Sequence, residues 1–272
     1  MMDKILFHIA VISYFISTTG YLGSLLIKRI FVAKIATWLL AGAFFFHTTT
    51  LFTQYILSGQ SPVTTPYGSI SFFSWAIAGS YLMFQVRTKT RILGAIVSPV
   101  VFLLAFLASQ QLHGGAILPE QLQNPLVSIH VILAVTGEAL FVLVALAGVL
   151  YLIQDRNIKK RHLHAMSRLL PPLKDLDRIN HYGLLLGFSL LTVGLLAGSV
   201  WAGEVWGAHW QWDPKLIWVL VFWLCYAFVL HQRLAIGWSG HKAALLSVVF
   251  LVILLVTLTV ITLNFPTIHT FR

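Results

Sequence analysis

The sequence predicts an all-α polytopic membrane protein of eight transmembrane helices, with both termini on the outer side. Three observations carry that prediction. The chain is 58% hydrophobic and 10% charged, with a mean hydropathy of +0.86, whereas soluble domains are about 25% charged. Eight apolar segments are long enough to cross a hydrocarbon core, which takes roughly 20 helical residues. The loops between them alternate in charge.

The segments run over 5–27, 33–57, 68–86, 92–110, 127–153, 180–201, 215–237 and 243–264. The first is followed at once by Lys28-Arg29 and lacks a small-x-small cleavage site, so it reads as an uncleaved helix rather than a signal peptide. Lys28, Arg29 and Lys34 fall in the first connection and Arg87, Lys89 and Arg91 in the third. Arg156, Lys159, Lys160, Arg161, Arg168, Lys174 and Arg178 occupy the fifth, Arg233 and Lys242 the seventh. Of the 18 Lys and Arg, only Lys4, Lys215 and Arg272 remain for the other side. The basic side is therefore expected in the cytoplasm. The net charge of +10 is a topology signal and not a nucleic-acid footprint. The longest polar stretch, 154–179, reads as a cytoplasmic loop with Pro171-Pro172 as a breaker. The whole chain, 1–272, reads as a single membrane domain. Its one cysteine, Cys225, excludes an intrachain disulfide and a C-x-x-C-H haem-attachment motif.

The most informative segment is the outer connection 201–215, between the sixth and seventh helices. It holds Trp201, Trp206, Trp210 and Trp212, with Gly203, Gly207, His209 and an Asp213-Pro214 step. Tryptophan is common at a membrane interface, which accounts for one or two of these rings. Four of them, set by glycines, suit a flat aromatic platform for a large planar ligand. His130, at the outer start of the fifth helix, and His269, beyond the eighth, are expected to flank that floor. Two neutral imidazoles on opposite faces are what axial ligation of a haem iron requires. His231 lies about 24 Å down the seventh helix from Lys215, and His47 about 20 Å up the second from the cytoplasmic side. Intramembrane ionisable groups are costly and are functional candidates by default.

Plainer readings stand beside these. His47 is as well placed to be an interhelical hydrogen-bonding group as a ligand. His209 can serve by bonding backbone. His8, His113 and His181 sit near segment ends, and His162, His164 and His241 lie among cytoplasmic basic residues. Glu138, eight residues below His130, is open between a proton-handling or propionate-related group and a buried neutral acid.

The run Trp206-Gly207-x-x-Trp210-x-Trp212-Asp213-Pro214-Lys215 resembles the tryptophan-rich "WWD" signature of haem-handling proteins related to CcmC and CcmF. Among these the chain most resembles the CcsA/ResC-type subunit of the system II cytochrome c synthase. The resemblance extends to Gly42-x-x-x-x-His47-Thr48, Ser58-Gly59-x-x-Pro62 and Phe73-x-Trp75. It also covers His130 after Asn124-Pro125-Leu126, His231-Gln232-Arg233 with Gly237-Trp238-x-Gly240, and the terminal His269-Thr270.

The resemblance implies that haem b is carried across the membrane as cargo and presented, reduced, on the outer face. There the C-x-x-C-H thiols of apocytochrome c add across its vinyl groups. It implies that His130 and His269 are the external iron ligands. His231 would be an inner ligand whose mate comes from a ResB/CcsB-type subunit. Trp201, Trp206, Gly207, Trp210 and Trp212 would form the floor and Asp213 would set the loop. It further implies a bacterial inner membrane, a periplasmic loop, and thiol-reducing proteins among the partners. Leu216-Ile217 after Lys215, and Gly68 in the second outer loop, depart from the family pattern at positions that are usually polar. Three alternatives stay open: a HemX-like haem-binding regulator acting with glutamyl-tRNA reductase, a haem exporter or chaperone, and, lowest, a b-type electron carrier.

Overall fold

In a computed structural model the structure describes residues 2–27, 29–88, 90–110, 120–161, 170–210 and 212–264, and the described residues form eight α-helices. The helices are α1 (Met2–Ile27), α2 (Ile30–Ser58), α3 (Pro66–Thr88), α4 (Gly94–Ser109), α5 (Pro125–Lys159), α6 (Leu173–Trp206), α7 (Pro214–Ala235) and α8 (His241–Asn264). Single 3₁₀ turns precede α3 at Pro62–Thr64, α4 at Arg91–Leu93 and α5 at Glu120–Gln123. By length and composition, seven of these helices can cross a membrane, and each of the first seven segments read from the sequence falls on one of them. In α8 the apolar stretch with described side chains is shorter, His241–Val256. Among the described residues there is no strand, so the all-α prediction holds.

The ends of the helices differ from the sequence reading for a physical reason. The stretch 154–179 is not one loop: α5 runs on to Lys159 and α6 begins at Leu173. Outside hydrocarbon a helix can carry charge if that charge is paired. Asp155 takes Lys159 Nζ at 2.7 Å and His241 Nδ1 at 2.8 Å, and Asp177 takes Arg233 at 2.7 Å. His241 is thus a hydrogen-bond partner of α5 rather than a merely solvated residue. Pro171-Pro172 is the expected breaker, with Pro172 standing as the N-cap residue of α6.

The helices form two groups. In the first, α1 packs along α2 and also touches α4, while α3 packs on α4. In the second, α5 packs along α6 and α8, and α7 closes against α8 and α6. The α3–α5 contact joins the groups. Polar ties inside the first group are buried hydroxyls: Tyr21 Oη donates to Thr37 Oγ1 at 2.9 Å, and Gln85 Nε2 donates to the same oxygen at 2.8 Å. Such ties stabilise helix association where lipid offers no hydrophobic drive between helices.

Along the α5–α6 seam the backbones approach closely at several points. A Cβ on Gly137 would meet the Gly187 carbonyl oxygen at 2.8 Å, one on Gly187 would meet the Phe141 ring at 2.8 Å, and one on Gly194 would meet the Ala134 amide at 2.9 Å. Small residues let backbones come this close and maximise van der Waals contact. Gly187→Leu would drive a side chain into Phe141 and is expected to cost about 1–3 kcal/mol by overpacking. Thermal melting of the detergent-solubilised protein checks it; an unchanged midpoint would mean the seam is not tightly packed.

Candidate functional site

The tryptophan-rich connection and His130 come together at one end of the α5–α6 seam. Helix α6 continues to Trp206 and α7 starts at Pro214, so 201–206 and 214–215 of the expected connection 201–215 are helical. Gly207 stops the helix: at φ +69° it adopts the left-handed conformation that side chains resist, and its amide donates to the Gly203 carbonyl at 3.1 Å. Asp213 starts α7. Its Oδ1 accepts from the Lys215 amide at 2.9 Å, with Pro214 in the first helical turn, and the residue is buried.

The four tryptophans divide into two pairs. Trp201 is buried with Leu122 and Val127, and Trp206 packs onto that cluster along with Val131. Their rings meet edge to face, 4.9 Å apart at 66°. Trp210 and Trp212 meet at 6.1 Å and 82°, and Trp212 is 80% exposed. The expected single flat floor is therefore not what the four rings make. Trp201 and Trp206 belong to the helix and brace it on α5, whereas Trp210 and Trp212 are the exposed rings.

His130 is half-buried on α5 and lies over Gly198 of α6, where a Cβ would come within 2.6 Å of its ring. Its Nδ1 donates to the Gly194 carbonyl at 2.7 Å. A carbonyl only accepts, so Nδ1 carries the proton and Nε2 keeps its lone pair. That is the tautomer and tether typical of a metal-ligating imidazole. His209 is held in the same way: its Nδ1 donates to the Ser199 carbonyl at 3.1 Å, Ser199 Oγ donates back to the His209 carbonyl at 3.0 Å, and the ring covers Gly203. Asn124, the N-cap residue of α5, ties the site from the other side, with Nδ2 donating to Glu204 at 3.0 Å.

The remaining residues singled out from the sequence are dispersed. His269 lies outside the described residues, as do His113, His162 and His164. His47 is fully buried in the first helix group, with Nε2 against Ser71 Oγ at 2.9 Å and Nδ1 against Tyr14 Oη at 3.3 Å. Both its nitrogens are occupied in bridging α1, α2 and α3, and it is not brought to the tryptophan loop. His231 is on the exposed face of α7 near the basic end. His181 accepts from Arg233 Nε at 3.0 Å, so its role is within the inner ion-pair cluster. His8 donates to the Lys4 carbonyl at 2.6 Å. Among the described residues no group of three His, Cys, Asp or Glu side chains is clustered for a resident metal ion. The site residues that sequence reasoning missed are Gly194, Gly198 and Ser199. The glycine spacing 183/187/194/198 was the available signal for them.

Residues 63–269 match the family described as "Cytochrome C assembly protein". The chain belongs to that family. The match takes in α3 to α8, His130, His231, the tryptophan loop and His269, and leaves His47 outside. Relatives are named "Cytochrome c biogenesis protein CcsA". That of Guillardia theta is 32% identical over 219 residues, 74% of this chain and 73% of the relative. That of Pyropia yezoensis is 30% identical over 246 residues, 76% and 77%. That of Prochlorococcus marinus (strain MIT 9215) is 29% identical over 252 residues, 84% and 81%. This member of the cytochrome c assembly family is an integral membrane protein with a role in cytochrome c biogenesis and haem handling.

Asp213→Ala removes the α7 cap and is expected to cost about 1 kcal/mol, while Asp213→Asn, which keeps the accepting oxygen, costs only a few tenths. Thermal melts of both variants check this. Equal losses would mean that the carboxylate charge matters and not the cap.

Proposed function

We propose that this protein is the haem-presenting subunit of a cytochrome c synthase. It crosses the membrane eight times, with both termini and the tryptophan loop on the outer, periplasmic face of a bacterial inner membrane. The even helix count and the gathering of Lys and Arg at the opposite end support that orientation. Haem b is the cargo. His130 and His269 take the two axial positions on its iron at the outer face, and Trp210 and Trp212 pack against the macrocycle. Trp201, Trp206, Gly207 and Asp213 hold the loop in place.

The single observation that carries this reading is the tether of His130: Nδ1 fixed on the Gly194 carbonyl, Nε2 left to bind, at the end of the bundle where Trp210 and Trp212 are exposed. The chemistry supplied is positioning. Each thiol of an apocytochrome C-x-x-C-H adds across a vinyl group, sulfur to one carbon and its proton to the other, with no net redox change. Holding the vinyl edges toward the client and water away from the iron is the protein's share. His231, exposed on α7, is the inner ligand and shares the iron with a ResB/CcsB-type subunit. Thiol-reducing proteins keep the client cysteines free. We place His47, with both nitrogens engaged, outside the ligand set.

The test is an absorption spectrum of the purified, detergent-solubilised protein beside His130→Ala and His269→Ala. A low-spin haem signal that is lost or turns high-spin in each variant is expected. Haem that co-purifies unchanged in both would overturn the external pair.

A further inference from the structure

At the basic end of the bundle, away from the tryptophan loop, a cavity of about 200 Å³ opens between helix ends. Its wall is assembled from four places: Ser24 on α1, Arg29 and Ile30 at the start of α2, Thr88, Thr90, Arg91 and Ile92 around the α3–α4 turn, and Pro171-Pro172 at the entry to α6. Arg29 and Arg91 line it, and among the described residues no Asp or Glu does. Neither arginine side chain has a carboxylate or other hydrogen-bonding partner among the described residues, in contrast to Arg233 at the same end, which is paired with Asp177.

The polar atoms in the wall sort by what they can still donate. Ser24 Oγ donates to the Tyr21 carbonyl at 2.6 Å and Thr88 Oγ1 to the Phe84 carbonyl at 2.8 Å. Thr90 then donates to Thr88 at 2.9 Å. The hydroxyl protons are all used inside the protein. What remains is cationic or amide N–H. The helices α2 and α6 and the turn leading into α4 each begin here with no side-chain cap. In each, the first backbone bond starts at the third residue: Val32 to Arg29, Leu93 to Thr90, Asp175 to Pro172. The two amides before it have no helical acceptor, and the starts of the long helices α2 and α6 each carry about half a positive charge.

We propose that this cavity binds the phosphodiester headgroup of an anionic glycerophospholipid. Two unpaired guanidiniums and unsatisfied amides in a wall without acids are complementary to a phosphate. The cavity is too small for a porphyrin but of headgroup size. Its apolar members Leu25, Ala33 and Leu170 offer a surface to the glycerol and the start of the acyl chains. Basic pockets between transmembrane helices at this level of the bilayer are where anionic lipid is recognised. The lipid would tie the starts of α2, α4 and α6 together and so link the two helix groups. The proposal stands independently of the haem reading.

The experiment uses the full chain, purified and stripped of lipid by prolonged detergent washing. Binding of phosphatidylglycerol, phosphatidylcholine and inorganic phosphate is followed by native mass spectrometry and by thermal melting. Wild type is compared with Arg29→Gln/Arg91→Gln and with Arg156→Gln/Lys160→Gln, which removes equal charge elsewhere at the same end. Phosphatidylglycerol is expected to bind and raise the melting midpoint, phosphatidylcholine to do so far less. The cavity variant should weaken phosphatidylglycerol at least tenfold and the control variant less than twofold, with helical content equal in all three. Equal binding of the two lipids, or equal losses in the two variants, would overturn the site. Inorganic phosphate that raises the midpoint as far as the lipid does would assign the cavity to free phosphate and overturn the lipid.

Discussion

The backbone-to-backbone approach of α5 and α6 is the constraint on which the rest of the structure depends. Gly137 against Gly187, and Gly194 against Ala134, bring the two helices closer than side chains would allow. That proximity puts the Gly194 carbonyl within 2.7 Å of His130 and clears the space over Gly198 for its ring. It also delivers Trp201 and Trp206 onto the start of α5 and the 3₁₀ turn before it, where Leu122, Val127 and Val131 receive them. A wider seam would leave His130 without its anchor, and the loop would then join two helices whose relative position was not fixed.

The two histidines at this end share one device. Each gives its Nδ1 proton to a main-chain carbonyl of α6, and each lies over a glycine of the same helix, Gly198 or Gly203. Backbone carbonyls of a helix do not rotate, so they orient an imidazole more firmly than a side-chain acceptor would. The anchors Gly194 and Ser199 are five residues apart, about 7.5 Å along the axis and about 140° around it. The two rings therefore leave α6 in different directions and do not form a facing pair. His130 is directed along the seam, whereas His209 clamps the loop to the last turns of α6.

Helix number and the polarity of the bundle were legible in the sequence because each rests on a property summed over twenty or more residues. The seven spans and the basic end at Arg29, Arg91, Lys159 and Arg233 needed no knowledge of contacts. Helix ends were less legible. Apolarity marks where hydrocarbon stops, but α5 and α6 run past that point on paired charges such as Asp155–Lys159 and Asp177–Arg233. The site was legible in its residue types and not in its shape. That Trp201 and Trp206 are bracing while Trp210 and Trp212 are open depends on where α6 stops, and Gly207 decides that. His47 looked like a candidate by depth alone, and its engagement by Tyr14 and Ser71 could be seen only once three helices were assembled.

Helix α7 sets the last condition. Of its apolar window 22% is buried, against 56% for α3 and for α5, so it lies at the edge of the bundle. Near its basic end His231 and Arg233 point in opposite directions. Arg233 is buried against Asp177, Asn180 and His181. His231, two residues and about 200° away, stands in the exposed stripe with Leu224, Phe228 and Leu234. An imidazole facing hydrocarbon gives up its hydrogen bonds without return, which is why intramembrane ionisable groups almost always turn toward protein. Within this chain the inward face of α7 was available, and Arg233 occupies it. On the proposed reading the outward face is completed by a second membrane subunit, and the iron shared between them is what repays the exposure of His231.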